Sequence, residues 1–79
     1  MPIKKRLLEP NENLSYRQRR VVELVARGLK NREIANKLGI STLVVRNYLS
    51  AIYDKIGVSN RVELALWYWT RKQEGSPIL

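Results

Sequence analysis

An all-α, four-helix domain with a central helix-turn-helix is the fold class this sequence predicts, and three observations predict it. No segment alternates apolar and polar residues with the two-residue period of a strand over a useful length. Four stretches instead repeat apolar residues at helical spacing; each begins at a capping residue, and three end at a glycine. In "NREIANKLGISTLVVRNYLS", residues 31 to 50, two such stretches are separated by little more than Gly39, Ile40 and Ser41. Helices joined by so short a Gly-containing turn can cross steeply, which is helix-turn-helix geometry.

The elements follow in chain order. Residues 1–13 have no periodicity and contain Pro2, Pro10, Asn11 and Asn13, so they read as an arm or linker, made basic by Lys4, Lys5 and Arg6. Ser15 opens the first helix, with Gln18 three residues on completing a capping box. Val21, Val22, Leu24 and Val25 form its buried side, and Gly28 stops it. Asn31 is the expected N-cap of a short second helix carrying Ile34, Ala35 and Leu38 inward, with Gly39 in the left-handed conformation at its end. Ser41 caps a third helix, about residues 42–56, whose apolar stripe is Val45, Leu49, Ile52 and Ile56 with Tyr48 and Tyr53 at the margins. Gly57 ends it. Asn60 and Glu63 repeat the cap pattern and open a fourth helix expected to reach about Lys72, with residues 74–79 as a frayed tail. Ala35 suits a close helix approach, and Val45 can wedge between helices.

Composition narrows the function. Seventy-nine residues make one domain, near the size where a core alone supplies only about 3–5 kcal/mol. Without cysteine or histidine there are no disulfides, thiolate or imidazole metal sites, or Ser/His and Cys/His nucleophile pairs. The seven carboxylates are scattered and no Gly-rich phosphate loop is present, so an enzyme is not expected, and neither a cofactor nor a metal. Fifteen Lys and Arg give a formal charge of +8, which calls for a polyanionic partner. The longest apolar-rich run, "LALWYW" from Leu64 to Trp69, is far short of the roughly 20 residues of a membrane span, and no strongly basic amphipathic helix suits a membrane surface. The N-terminus has no apolar segment of signal-peptide length, so a cytoplasmic location is expected.

The side of the third helix opposite Val45 points to DNA. An advance of about 100° per residue places Leu43, Arg46, Asn47, Ser50 and Asp54 there. Arg can donate bidentately to guanine, Asn can pair with adenine, Ser serves either role, and an exposed Leu can touch a thymine methyl. The alternative is an ordinary solvated face on a helical hairpin. The tight turn and the charge together favour base reading by Arg46, Asn47, Ser50 and Leu43.

These residues also carry a resemblance. "LSYRQRRVVELVARGLKNREIANKLGISTLVVRNYLSAIYDKIGVSNRVELA", Leu14 to Ala65, resembles the LuxR/FixJ type, or GerE-like, helix-turn-helix domain of bacterial transcription regulators. The order of Arg17, Gly28, Glu33-Ile34-Ala35, Leu38, Ile40-Ser41, Val45, Lys55, Gly57-Val58 and Arg61 carries it. The resemblance implies a tetrahelical fold over about residues 14–73, dimeric binding to double-stranded DNA, and base contacts at Arg46, Asn47 and Ser50. Three positions depart from the family pattern: Gln18 replaces a glutamate that could pair with a family arginine, Val44 replaces a threonine that could reach phosphate, and Tyr48 replaces a histidine.

Phosphate contacts are expected from Lys30, Asn31 and Arg32 at the start of the second helix, from Thr42, and from Arg61. Arg61 has a second reading as a structural tie to Glu33. The fourth helix is apolar nearly all round, so one side needs a partner. The resemblance implies that this helix is the dimer contact; Val62, Leu66 and Trp69 are assigned to the homodimer seam and Leu64, Ala65 and Tyr68 to the core, the alternatives being the reverse register and a helix whose two tryptophans only finish the core. A non-catalytic adaptor, or a sigma-region-like module acting through protein contacts, is the competing function, with RNA polymerase or another regulator as partner. The sequence leaves open whether Met1 begins a complete regulator or the chain is cut from a longer, receiver-containing one.

Overall fold

The computed structural model describes residues 14–75, which fold into four helices: α1 (Tyr16–Ala26), α2 (Asn31–Leu38), α3 (Thr42–Ile56) and α4 (Arg61–Gly75). The arm expected over residues 1–13 and the last four residues of the expected tail lie outside the described residues. Glu74 and Gly75, expected to fray, belong to α4, which therefore runs three residues past Lys72.

Local chemistry sets the helix starts. Ser15 Oγ accepts from the Gln18 N–H at 3.1 Å, and Gln18 Oε1 accepts from the Ser15 N–H at 2.9 Å, so the expected capping box is formed. Ser41 Oγ accepts from the Val44 N–H, and Asn60 Oδ1 from the Glu63 N–H. The cap of α2 corrects the sequence reading: Lys30, extended at φ −83° and ψ 162°, is the N-cap, and Asn31 lies inside the first turn. The reason is that Glu33 Oε1 takes the Lys30 N–H at 2.7 Å, while the Asn31 amide oxygen is engaged by a guanidinium from α4.

The first three helices end by one device. Gly28, Gly39 and Gly57 have positive φ, and the residue after each glycine returns its N–H to a carbonyl inside the helix: Leu29 to Leu24, Ile40 to Ala35 and Val58 to Tyr53. In this Schellman pattern the residue after glycine is turned back onto the helix it terminates. Leu29, Ile40 and Val58 accordingly pack against the core, so each stop also adds an apolar side chain to it.

Burial organises the four helices around α1. It packs on α4 and α3, and α2 packs on α3. The core joins Leu14, Val21, Val22, Leu24 and Val25 to Ile34, Ala35, Val45, Leu49, Ile52 and Leu64, while Ile56, the last residue of the α3 stripe, is half-buried. Leu64 is wholly buried whereas Val62, Leu66 and Trp69 are 67, 63 and 46% exposed, which fixes the rotation of α4 in the register assigned from sequence. Burying the second set instead would require turning the helix by about half a revolution.

Candidate nucleic-acid interface

The third helix presents two chemically different sides. Val45, Leu49 and Ile52 are buried, and Leu43, Arg46, Asn47, Ser50 and Asp54 are exposed. The buried stripe anchors the helix against α1 and α2, so the polar side projects from a fixed platform. Leu43, at 60% exposure, is a large apolar side chain on the first turn, beside the exposed Thr42. Asp54 lies two turns beyond Asn47, towards the C-terminal end of the same side.

Asn47 also edges a shallow groove lined with Gln18, Val44, Tyr48 and Ala51. The three departures from the family pattern therefore meet in one place. Gln18 is buried, and its Oε1 accepts from Lys55 Nζ at 3.2 Å as well as from the Ser15 N–H, so the cation facing this position is a lysine on α3. A neutral amide holds the α1 cap to the far end of α3.

At the turn, Lys30 and Arg32 are exposed and Asn31 is half-buried. Arg61 reaches Asn31 from α4: its Nη1 donates to Asn31 Oδ1 and its Nη2 to the Leu29 carbonyl, both at 2.8 Å. The guanidinium therefore spans the α1–α2 connection and the first turn of α2, and its partners are these two groups instead of the expected Glu33. The planar fork suits two acceptors held at fixed spacing. Sequence reading missed Asn31 as the partner because 30 residues separate the two side chains. It also missed the Trp69 indole, whose Nε1 donates to the Ala26 carbonyl at 3.0 Å and fastens α4 to the end of α1.

Comparison with known proteins places this arrangement. The family described as "Bacterial regulatory proteins, luxR family" matches residues 12–68, which contain all four caps and the whole of α3. The chain belongs to the luxR family. Its luxR-type fold is a helix-turn-helix module of the DNA-binding, transcription-regulator kind. The chain is 48% identical over 50 residues to the transcriptional regulatory protein DesR of Bacillus subtilis, a match covering 63% of this chain and 25% of DesR. It is 44% identical over 52 residues to the transcriptional regulatory protein UhpA of Escherichia coli, covering 66% and 26%. The response regulator StyR has a similar structure, with a TM-score of 0.75 and 28% identity over 87% of this chain and 35% of StyR. The chain thus spans about a quarter of the length of these curated relatives. No helix among the described residues is long and apolar enough to cross a membrane.

Proposed function

We propose that this luxR-family domain binds double-stranded DNA sequence-specifically in the cytoplasm, inserting α3 into the major groove and pairing through α4 as a homodimer. The observation that carries the reading is the division of α3 into a buried apolar side and an exposed side that carries Leu43, Arg46, Asn47 and Ser50. A helix anchored on one side and furnished with base-edge donors and acceptors on the other is what major-groove reading requires. Arg46 and Asn47 supply the bidentate groups, Ser50 a hydroxyl, and Leu43 an apolar contact for a thymine methyl. Lys30, Asn31, Arg32 and Thr42 hold the phosphates, and Arg61 acts on them through the Asn31 clamp. Val62, Leu66 and Trp69 form the seam between the two copies, so the preferred site is an imperfect palindrome.

Selection of bound sequences from a random DNA pool tests this reading. Arg46→Ala and Asn47→Ala should each weaken the selected site by about 1–3 kcal/mol and relax preference at one base pair. Variants that keep the parental preference unchanged would remove α3 from the role of reader. A chain that selects no sequence at all would favour the adaptor function, in which protein contacts through α4 are the activity.

A further inference from the structure

Apart from the reading helix, the described residues form a groove between α1 and α4. Leu14, Val22, Trp67 and Tyr68 supply its apolar lining, and Arg19, Glu23, Arg71 and Lys72 its charged margin. At about 280 Å³ it lies at the lower end of the range for small-molecule sites, roughly 300–1,000 Å³, and is sized for one or two side chains.

The margin is cationic. Its one carboxylate, Glu23, is already paired with Arg20 at 3.0 Å on the same helix, and Arg19 and Lys72 are exposed cations at the groove's edge. Two cations of the margin are held over aromatic rings: Arg71 lies 5.4 Å from the centroid of Trp67, and Lys72 lies 5.9 Å from that of Tyr68. Cation–π contact of this kind keeps long side chains beside the apolar surface instead of spread into solvent. The groove therefore combines an apolar recess with positive charge at its edge.

We propose that the α1–α4 groove docks an acidic amphipathic segment of a partner protein, an apolar side chain of the segment resting against Trp67 and Tyr68 above the buried Val22 while its carboxylates meet Arg19 and Lys72. Charge complementarity and the apolar lining together select this occupant. Nucleic acid would use the cations and leave the recess unfilled, since a phosphate backbone has no apolar group to place there. None of the lining residues belongs to α2 or α3, so the groove and the reading side can be engaged together. On α4 the groove residues Trp67, Tyr68 and Arg71 centre on the side opposite Val62, Leu66 and Trp69 at about 100° per residue, and the two surfaces adjoin where the Tyr68 and Trp69 rings pack edge to face, 5.1 Å between centroids. A domain bound to DNA as a dimer would then offer one such groove on each copy, with the partner acting as the protein-contact arm of regulation.

The test uses the full 79-residue chain and a synthetic 14-residue peptide with Leu and Phe at helical spacing and Asp and Glu between them. Backbone amide and tryptophan indole NMR shifts are followed during titration. Saturable shifts at Leu14, Val22, Trp67 and Tyr68, weakened about tenfold or more in the exposed-site double variant Arg19→Glu/Lys72→Glu, are the expected result. An isosteric control peptide with Asn and Gln for every Asp and Glu should bind at least about tenfold more weakly. Circular dichroism and DNA affinity report that the double variant is folded and still reads its site. The proposal is overturned if the acidic peptide shifts α3 residues instead, acting as a DNA mimic on the reading side. It is equally overturned if the neutral peptide binds as well as the acidic one, if a DNA duplex shifts the groove residues, if increasing protein concentration alone does so, or if no saturation is reached.

Discussion

Replacing Arg61 separates a structural clamp from a phosphate ligand more cleanly than any other single change. In Arg61→Ala two hydrogen bonds of 2.8 Å are lost, one to the Asn31 amide oxygen and one to the Leu29 carbonyl. Bonds to charged groups contribute about 1.5–3 kcal/mol each, and the half-buried position of Arg61 places these at the low end, so the pair is worth about 3 kcal/mol. For a domain of this size about 1 kcal/mol moves the melting temperature by roughly 4–8 °C, which gives a fall of about 12–24 °C. Arg61→Lys carries the decisive comparison. It preserves the charge a phosphate would need but not the fork that reaches two acceptors at once, so it should recover little of the lost stability. Asn31→Ala alone should cost about 1 kcal/mol, and the double variant with Arg61→Ala should cost less than the sum by a similar amount, because the bond between them is counted twice. Thermal unfolding of the parent and the four variants, with DNA affinity measured against salt, supplies all of these quantities. The clamp is refuted if Arg61→Ala and Arg61→Lys melt with the parent while Arg61→Ala alone lowers the salt slope by about one.

Three further outcomes are expected. Lys30→Ala and Arg32→Ala should weaken binding to all DNA sequences about equally, each lowering the slope of log affinity against log salt by roughly one; filter-binding titrations at several salt concentrations check this. Leu66→Glu should leave the helical circular dichroism intact, because the side chain is 63% exposed, yet weaken binding to a palindromic site strongly while a half-site is bound almost as before; sedimentation with both DNAs decides it. Gly39→Ala should destabilise the fold by about 1–2 kcal/mol through its φ of +70° alone, since an added Cβ meets nothing within 4 Å, and Gly39→Asn should cost less because asparagine tolerates that conformation better; urea unfolding ranks the two.

The sequence by itself determined the elements whose causes lie within a few residues of one another. Ser15 with Gln18, Ser41 with the Val44 N–H and Asn60 with the Glu63 N–H are contacts three residues apart, and the glycine stops need only the backbone freedom of one position. Periodicity then separated the buried and exposed sides of α3, because a helix repeats its geometry whatever it packs against. The same rule assigned Leu64, Ala65 and Tyr68 of α4 to the core but left the reverse register open, since both faces are apolar; the complete burial of Leu64 closed that alternative. Tertiary structure alone decided the contacts between residues distant in the chain. Arg61 found Asn31 across 30 positions, and Trp69 found the Ala26 carbonyl across 43. The first of these also displaced a local expectation, drawing the Asn31 side chain away from the cap position and leaving that place to Lys30. The α1–α4 groove belongs to the same class, for its apolar lining and cationic margin come from chain segments that are brought side by side only when the helices pack. Local backbone and capping energies are set by near neighbours, whereas a side-chain partner across the fold is chosen by where packing brings its acceptor.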